Sequence, residues 1–457
     1  MKVLTKRIVS GLLAFTMAGS LAACTPKSTT EPSTSDVGTE GTTTTEAALA
    51  EALDPNQKYE IRFSWWGGDS RHEATLKAIK AFEAKYPNIS VEPEYGAWDG
   101  WTEKVATQLK GGTAPDLMQV NWNWLYQFSS DGSKFADLNQ FSDVISLDNY
   151  DASILEKGVV ADKLQGLPLG VTGKAFFWNA TTFEKAGLEV PTSFEEIISA
   201  GTTFKEKLGD DYYPLAMYEY ERMILMLYYL ESVYGKEWVV NNQTNYSVEE
   251  VKEGLDWINS LEDAHVLPSI AQLKGDGATI LEKNNRWMDG HYAGFYEWDS
   301  AQQKLANALE EGQEFVLGAF PKDLGSNEAG LTKVNMCYAI TESSKNKAAA
   351  ALLLEFLTSD PEGVELIATE RGMLANSAAN KVLEEKGLLA GLTYEANQEV
   401  MKIANFSFDP NFENSALKDT TGVYYEVMES LSGGTDSGEL AQYLVDSIND
   451  VYAANAY

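Results

Sequence analysis

The chain has 457 residues, 44% hydrophobic and 11% aromatic, a globular composition too long for one small core and long enough for two lobes. It carries 68 acidic against 35 basic residues, a formal net charge of −33. A surface this negative repels nucleic acid, anionic lipid and phosphorylated or carboxylated ligands, with no basic patch in the sequence to counter it. Solubility outside a cell explains most of that charge, and the remainder tilts the expected ligand toward neutral or cationic molecules.

The first 24 residues, MKVLTKRIVSGLLAFTMAGSLAAC, begin with Lys2, Lys6 and Arg7 and run apolar from Ile8 to Leu21. The run is too short and too glycine-broken for a spanning helix, and reads as an export signal. The ending Leu21-Ala22-Ala23-Cys24 resembles the lipobox cut by the lipoprotein signal peptidase. That resemblance implies a signal peptide over 1–23, a diacylglycerol thioether on Cys24, and a mature protein held at the outer face of the cell membrane by its lipid. An ordinary secretory signal that happens to end in cysteine is the other reading. It would leave Cys24 a free thiol on a flexible arm. Residues 24–56 are rich in Thr, Ser, Glu, Gly and Pro and hold no aromatic residue, so they read as a disordered tether. Its flexible span is roughly 30 Å, enough to keep a domain near the membrane but clear of it.

From residue 57 onward short β-like runs alternate with longer amphipathic ones. YEIRFSWW (59–66) reads as a strand, RHEATLKAIKAFEAKY (71–86) as a helix stopped by Pro87, and ISVEPEY (89–95) as a second strand. DGWTEKVATQLKGG (99–112) reads as a helix closed by Gly111-Gly112, DLMQV (116–120) as a third strand, and WLYQF (124–128) begins another helix. This β-α-β-α-β order predicts a parallel sheet with crossover helices and a ligand crevice outside the carboxyl ends of the strands. Trp65 to Asp69, Tyr95 to Trp101 and Asn121 to Trp124 fall at those ends. The apolar run Met223 to Tyr229 reads as a helix packed into a core.

Little in the chain nominates catalysis. His72, His265 and His291 lack metal-ligand spacing, and HExxH, GxSxG, a phosphate loop and GxGxxG are all missing. Neither an enzyme activity, a metal nor a cofactor is expected. Apart from Cys24 the only cysteine is Cys337, in KVNMCYAI, which reads as a buried strand thiol.

FSWWGG (63–68), AFEAKYPNISVE (81–92) and KVATQLKGGTAPDLMQV (104–120) resemble the first lobe of bacterial extracellular solute-binding proteins, family 1, the sugar-capturing components of ABC importers. Segments 166–197, 287–302 and 340–372, the last opening ITESSKNK, resemble the crossover strand, the return strand and the C-terminal helical region of that family. The last 80 or so residues match more loosely. The resemblance implies an α/β, two-lobed periplasmic-binding-protein-like fold with hinge strands and a ligand cleft between the lobes. It places lobe one at 57–168 plus 295–345 and lobe two at 169–294 plus 346–457. It also implies an oligosaccharide ligand, a monomer, delivery to ABC permease transmembrane subunits, and no nucleic-acid partner.

Aromatic content favours sugar among possible ligands, with 11 Trp, 22 Tyr and 18 Phe. A pyranose has an apolar C–H face and a hydroxyl rim, which suit an indole flanked by polar side chains. Covering half an aromatic ring contributes about 2–3 kcal/mol. Trp66, Asp69 and Arg71 follow the first strand, with packing at the sheet rim as the plainer role for Trp66. Asn123 faces the expected cleft mouth, and Trp122 and Trp124 alternate around it, so at least one of the two belongs to the core. Trp98 and Trp101 either line the cleft or staple the following helix. The resemblance adds Glu219, within Tyr218-Glu219-Tyr220, and Trp298, which matches the family's sugar-stacking tryptophan. It also adds Arg371, for which a structural salt bridge is the alternative, while Tyr424 departs from the family's late aromatic. Two further readings stay open: a solute-binding lipoprotein for a polyamine or peptide, and a lipid-anchored carbohydrate-active enzyme working through a carboxylate pair. A tether suits a cell with a single membrane, since it keeps a binder near its permease. That points to a Gram-positive source.

Overall fold

The computed structural model describes residues 53–455 except Pro55. The expected signal peptide, Cys24 and nearly all of the tether lie outside the described residues.

Tyr59–Trp66 buries Ile61, Phe63, Trp65 and Trp66 and pairs in parallel with Ile89–Gly96 on one side and Leu117–Val120 on the other. The connecting helix Asp69–Lys85 buries Thr75, Ala78, Ile79 and Phe82, a spacing of three or four that puts one stripe on the sheet. Trp101–Gly111 crosses back with Trp101, Val105 and Leu109 buried. It stops where Gly112 takes φ 66°, a left-handed conformation open to a residue without Cβ, and the Gly112 N–H donates to Gln108 O. Cys337–Ile340 joins antiparallel to Leu117–Val120, and Leu167–Pro168 completes a five-stranded sheet. The β-α-β-α-β order expected over 59–120 is present, and Cys337 is a fully buried strand residue.

The second lobe is built on Val171–Asn179. This strand pairs antiparallel with Gly294–Trp298, Leu331–Val334 and Phe315–Leu317, and Phe406–Ser407 extends the sheet beyond Leu331–Val334. Helix Glu219–Tyr234 runs through its core, with Met223 to Tyr228 at most 1% exposed. The predicted core helix over Met223 to Tyr229 is therefore where it was expected. Val248–Asp263 starts on a capping box between Ser247 and Glu250, and Ser437–Ala454 packs beside it.

The fold is a two-lobed α/β architecture. Its hinge is formed by chain segments crossing side by side: the Leu169 N–H donates to Met336 O at 2.9 Å, and the Asn335 N–H to Gly170 O at 3.0 Å.

The lobe boundaries expected at 295 and 345 need correction. Strand Gly294–Trp298 is in register with Val171–Asn179 (Gly294 opposite Trp178, Trp298 opposite Lys174), so residues 294–334 stay with the second sheet. Helices Lys347–Thr358 and Pro361–Ile367 belong to the first lobe, where Phe356 meets Phe82 at 5.6 Å between ring centroids. Strand pairing and core packing decide lobe membership here, and neither is visible in a linear motif.

Candidate functional site

Three indoles from three separate strand ends meet on the first lobe. Trp66 ends the first strand and is 8% exposed. It meets the ring of Trp98 edge-on at 5.1 Å and that of Trp124 at 5.4 Å. Trp98 and Trp124 stack at 5.7 Å with planes 10° apart. Trp124 is buried, whereas Trp98 keeps 42% of its surface exposed, so Trp98 offers an apolar face and the other two fix it. On helix Trp122–Ser129 the residue beside Trp124 is Asn123, also buried.

The second lobe answers with charge. Lys418 Nζ lies 5.6 Å from the Trp98 ring and 4.7 Å from that of Tyr220. Glu413 Oε1 accepts from Lys333 Nζ at 2.6 Å, Lys418 Nζ at 2.7 Å and the Tyr220 hydroxyl at 2.8 Å. Burial alone would raise the Glu413 carboxyl, but the two ammoniums overcome it and hold the group far below the usual carboxylate range. Burial in turn pulls Lys333 down to about 8, with Lys418 and Lys174 adding to the effect.

The same short segment joins the lobes. Asn121 Nδ2 donates to Glu413 Oε2 at 3.2 Å, Asn123 Nδ2 to Glu413 O at 2.8 Å, and Gln127 Nε2 to Ser415 Oγ at 2.6 Å. Asn123 Oδ1 is buried without a hydrogen-bond partner, an acceptor left over in the cleft.

Trp298 sits at the end of its strand with Lys333 Nζ 4.5 Å and Lys174 Nζ 4.8 Å from its ring, and Phe408 edge-on at 5.5 Å. Lys174 is buried and 3.4 Å from Glu297 Oε1. Burial lowers the Lys174 ammonium. It would also raise Glu297, but Lys174 and Lys304 outweigh it and keep that carboxyl low. The structure thus brings Trp66, Trp98, Asn123, Trp124 and Trp298 into one region.

Four expected residues fall elsewhere or serve otherwise. Glu219 is 1% exposed and pairs with Lys274 at 2.8 Å, and Lys274 also reaches Glu429. The helical turn points the next residue, Tyr220, at Glu413, the carboxylate that also meets Asn121 from the first lobe. Arg371 is 1% exposed within the first lobe, where it donates to Gln119 Oε1 at 2.8 Å and Thr75 Oγ1 at 2.9 Å. It braces the lobe without the salt bridge offered as its alternative. Arg71 donates to Glu370 O at 2.8 Å and Trp66 O at 3.2 Å, so it holds the strand end in place. Burial, with Arg371 nearby, lowers it to about 9. Asp69 is exposed in the first helical turn, where a carboxylate suits the helix dipole.

Sequence reasoning missed Lys333, Glu413 and Lys418, whereas it had placed Asn121 at a strand end and Tyr220 as an aromatic beside Glu219. Lys333 and Glu413 are 80 residues apart and sit in no motif. The whole-chain charge of −33 also argued against a cluster of lysines. Within the cleft that argument fails, because the lysines gather there against matched glutamates.

The sequence profile of the bacterial extracellular solute-binding proteins matches residues 68–364. The chain belongs to that family. A periplasmic solute-binding protein from Pectobacterium atrosepticum is 33% identical, with 87% of this chain and 100% of that one covered at a TM-score of 0.80. A periplasmic oligogalacturonide-binding protein from Yersinia enterocolitica, solved with saturated digalacturonic acid, is 31% identical, with 88% and 100% covered at a TM-score of 0.82. Curated relatives from Brucella abortus, named as binding proteins, are 26% identical over 294 residues. That match spans 61% of this chain and 66% of their own length.

Proposed function

We propose that the chain captures an oligosaccharide between its lobes and delivers it to the transmembrane subunits of an ABC importer, tethered to the cell surface by a lipid on Cys24. The observation that carries this reading is the convergence of Trp66, Trp98 and Trp124 opposite Tyr220, Lys418 and Glu413. A sugar ring laid on Trp98 gains apolar contact on one face, while its hydroxyls meet a carboxylate, ammoniums and the spare acceptor of Asn123. The first lobe supplies the platform and the second supplies most of the charge. Closure therefore adds contacts that the open state lacks, and that differential affinity drives it. The digalacturonate complex of the Yersinia relative supports a carbohydrate ligand.

A narrower version, an acidic oligosaccharide, is favoured by Lys418. Its side chain is 20% exposed, against 7% for Lys333, and it lies over the platform residue itself. A uronate carboxylate would share that ammonium with Glu413.

Thermal shift across neutral and uronic oligosaccharides, with spermidine and short peptides alongside, tests the assignment, because a ligand of the native state raises its melting temperature. Stabilisation by saccharides alone supports the reading, and stabilisation by spermidine or peptide alone refutes it. Products released from an oligosaccharide, with turnover abolished by one carboxylate substitution, would identify an enzyme instead. Cys24→Ala releases the protein to the medium with its sugar affinity intact if the tether and the cleft have separate roles.

A further inference from the structure

A cavity of about 540 Å³ lies between the lobes; none of Trp66, Trp98 and Trp124 lines it, and its walls Phe408 and Phe412 have Trp298 and Tyr220 at their backs. Trp122, Tyr126 and Glu156 line it from the first lobe, and Glu231, Trp238 and Asp409 from the second. Its separation from the sugar platform follows from helical geometry. Trp122 and Tyr126 are four residues apart and share a face of helix Trp122–Ser129, while Trp124 faces Trp66 and Trp98 from the other side. On helix Glu219–Tyr234, Glu231 shares a face with Tyr220, the residue that contacts Glu413, but lies about three turns, roughly 16 Å, further along.

Glu231 is the unexplained group in this cavity. It is 2% exposed, and its Oε2 has no hydrogen-bond partner. Trp238 Nε1 beside it is also buried without a partner. A buried carboxyl oxygen without a partner is costly, so native structures rarely keep one without a reason. The remaining lining shows what would satisfy it. Glu156, Glu237 and Asp409 are acidic, Lys157 is the one basic residue, and Phe408 and Phe412 add apolar rings to those of Trp122, Tyr126 and Trp238. Carboxylates set among aromatic faces form the environment that binds an organic ammonium group, through ion pairing and cation–π contact together.

We propose that this cavity is a second ligand site, taking a small organic ammonium compound whose charged head pairs with Glu231 among the faces of Trp122 and Trp238. An oxygen on the same molecule would accept from Trp238 Nε1. The volume suits a small organic molecule. Burial pushes the Glu231 carboxyl up, and Glu237 adds to the shift, whereas a paired ammonium favours its ionised form. Choline affinity should therefore rise with pH. Tyr126, Glu156, Lys157, Glu237 and Asp409 are the other titratable groups facing the cavity.

Calorimetric titration of the full chain carrying Cys24→Ala with choline, at pH 5.5 and 7.5, tests the proposal. Saturable binding at a stoichiometry of one, at least fivefold tighter at pH 7.5, is expected. Glu231→Gln keeps the shape but cannot ionise and should lower choline affinity at least tenfold; Trp238→Phe should lower it severalfold. Trp98→Ala should leave choline binding unchanged, which separates this site from the sugar cleft whatever the cleft binds. Absence of choline binding, equal affinity in Glu231→Gln and Trp238→Phe, or loss of choline binding in Trp98→Ala each overturns the proposal.

Discussion

Lys333 Nζ lies 2.6 Å from Glu413 Oε1, with the two side chains 7% and 3% exposed, and this buried pair joins the hinge-side strand Leu331–Val334 to the segment that touches the first lobe. Removing one member of a buried pair leaves the other charged without compensation, which costs about 3–5 kcal/mol. Glu413→Ala should therefore lower the urea-unfolding free energy by about that amount. Lys333→Met combined with Glu413→Leu should recover most of it. If Glu413→Ala proves as stable as the double variant, the pair has no such role.

Tyr220 and Glu219 are neighbours with opposite assignments. Tyr220→Phe removes a donor to Glu413 at the cleft and should weaken saccharide binding severalfold. Glu219→Gln breaks the contact with Lys274 and should lower the melting temperature while leaving affinity unchanged. Isothermal titration paired with differential scanning calorimetry on both variants distinguishes the two roles. A large affinity loss in Glu219→Gln would restore Glu219 to the binding site.

Asp299 accepts from Thr172 and, at 2.6 Å, from Asn397, beside the crossing strand. Burial pushes its carboxyl up to about 6 despite those donors. The native state therefore holds a proton that the unfolded chain loses near pH 4. The protonated group contributes stability that is fully present below about pH 4 and lost as pH rises through 6, about 3 kcal/mol in all. The stability difference between wild type and Asp299→Asn should be larger at pH 4 than at pH 7. A difference independent of pH would contradict the assignment.

Cys337 is fully buried, and burial alone drives its thiol far above the usual range. A thiol reagent added to the Cys24→Ala chain should modify Cys337 only at the rate of unfolding. Fast modification of folded protein would show that the strand opens locally.

Much of the first lobe was legible because its signals are local. The 59–66 strand, the helices that follow it and the Gly111-Gly112 stop lie in one continuous stretch, 59–112, where period and punctuation suffice to place them. The indoles at the strand ends were legible for the same reason, since parallel topology sends successive carboxyl ends to one edge. The lobe boundaries were not, because the register of Gly294–Trp298 against Val171–Asn179 joins residues about 120 positions apart. Glu413, Lys333 and Lys418 were missed on the same ground, and net charge misled because it averages over a surface that the cleft does not share. Glu219 and Tyr220 were placed together in the sequence, but one step along a helix is a rotation of about 100°, which turns Tyr220 to Glu413 and Glu219 to Lys274.

The central claim is that an oligosaccharide rests on Trp98 between the lobes, and titration of wild type against Trp98→Ala tests it most directly. Trp98 is 42% exposed, so its removal leaves the fold's cores in place. Calorimetry should show saccharide affinity falling tenfold or more, a loss of at least about 1.4 kcal/mol, with the ligand-free melting temperature nearly unchanged. Equal affinity in the two proteins would contradict the account.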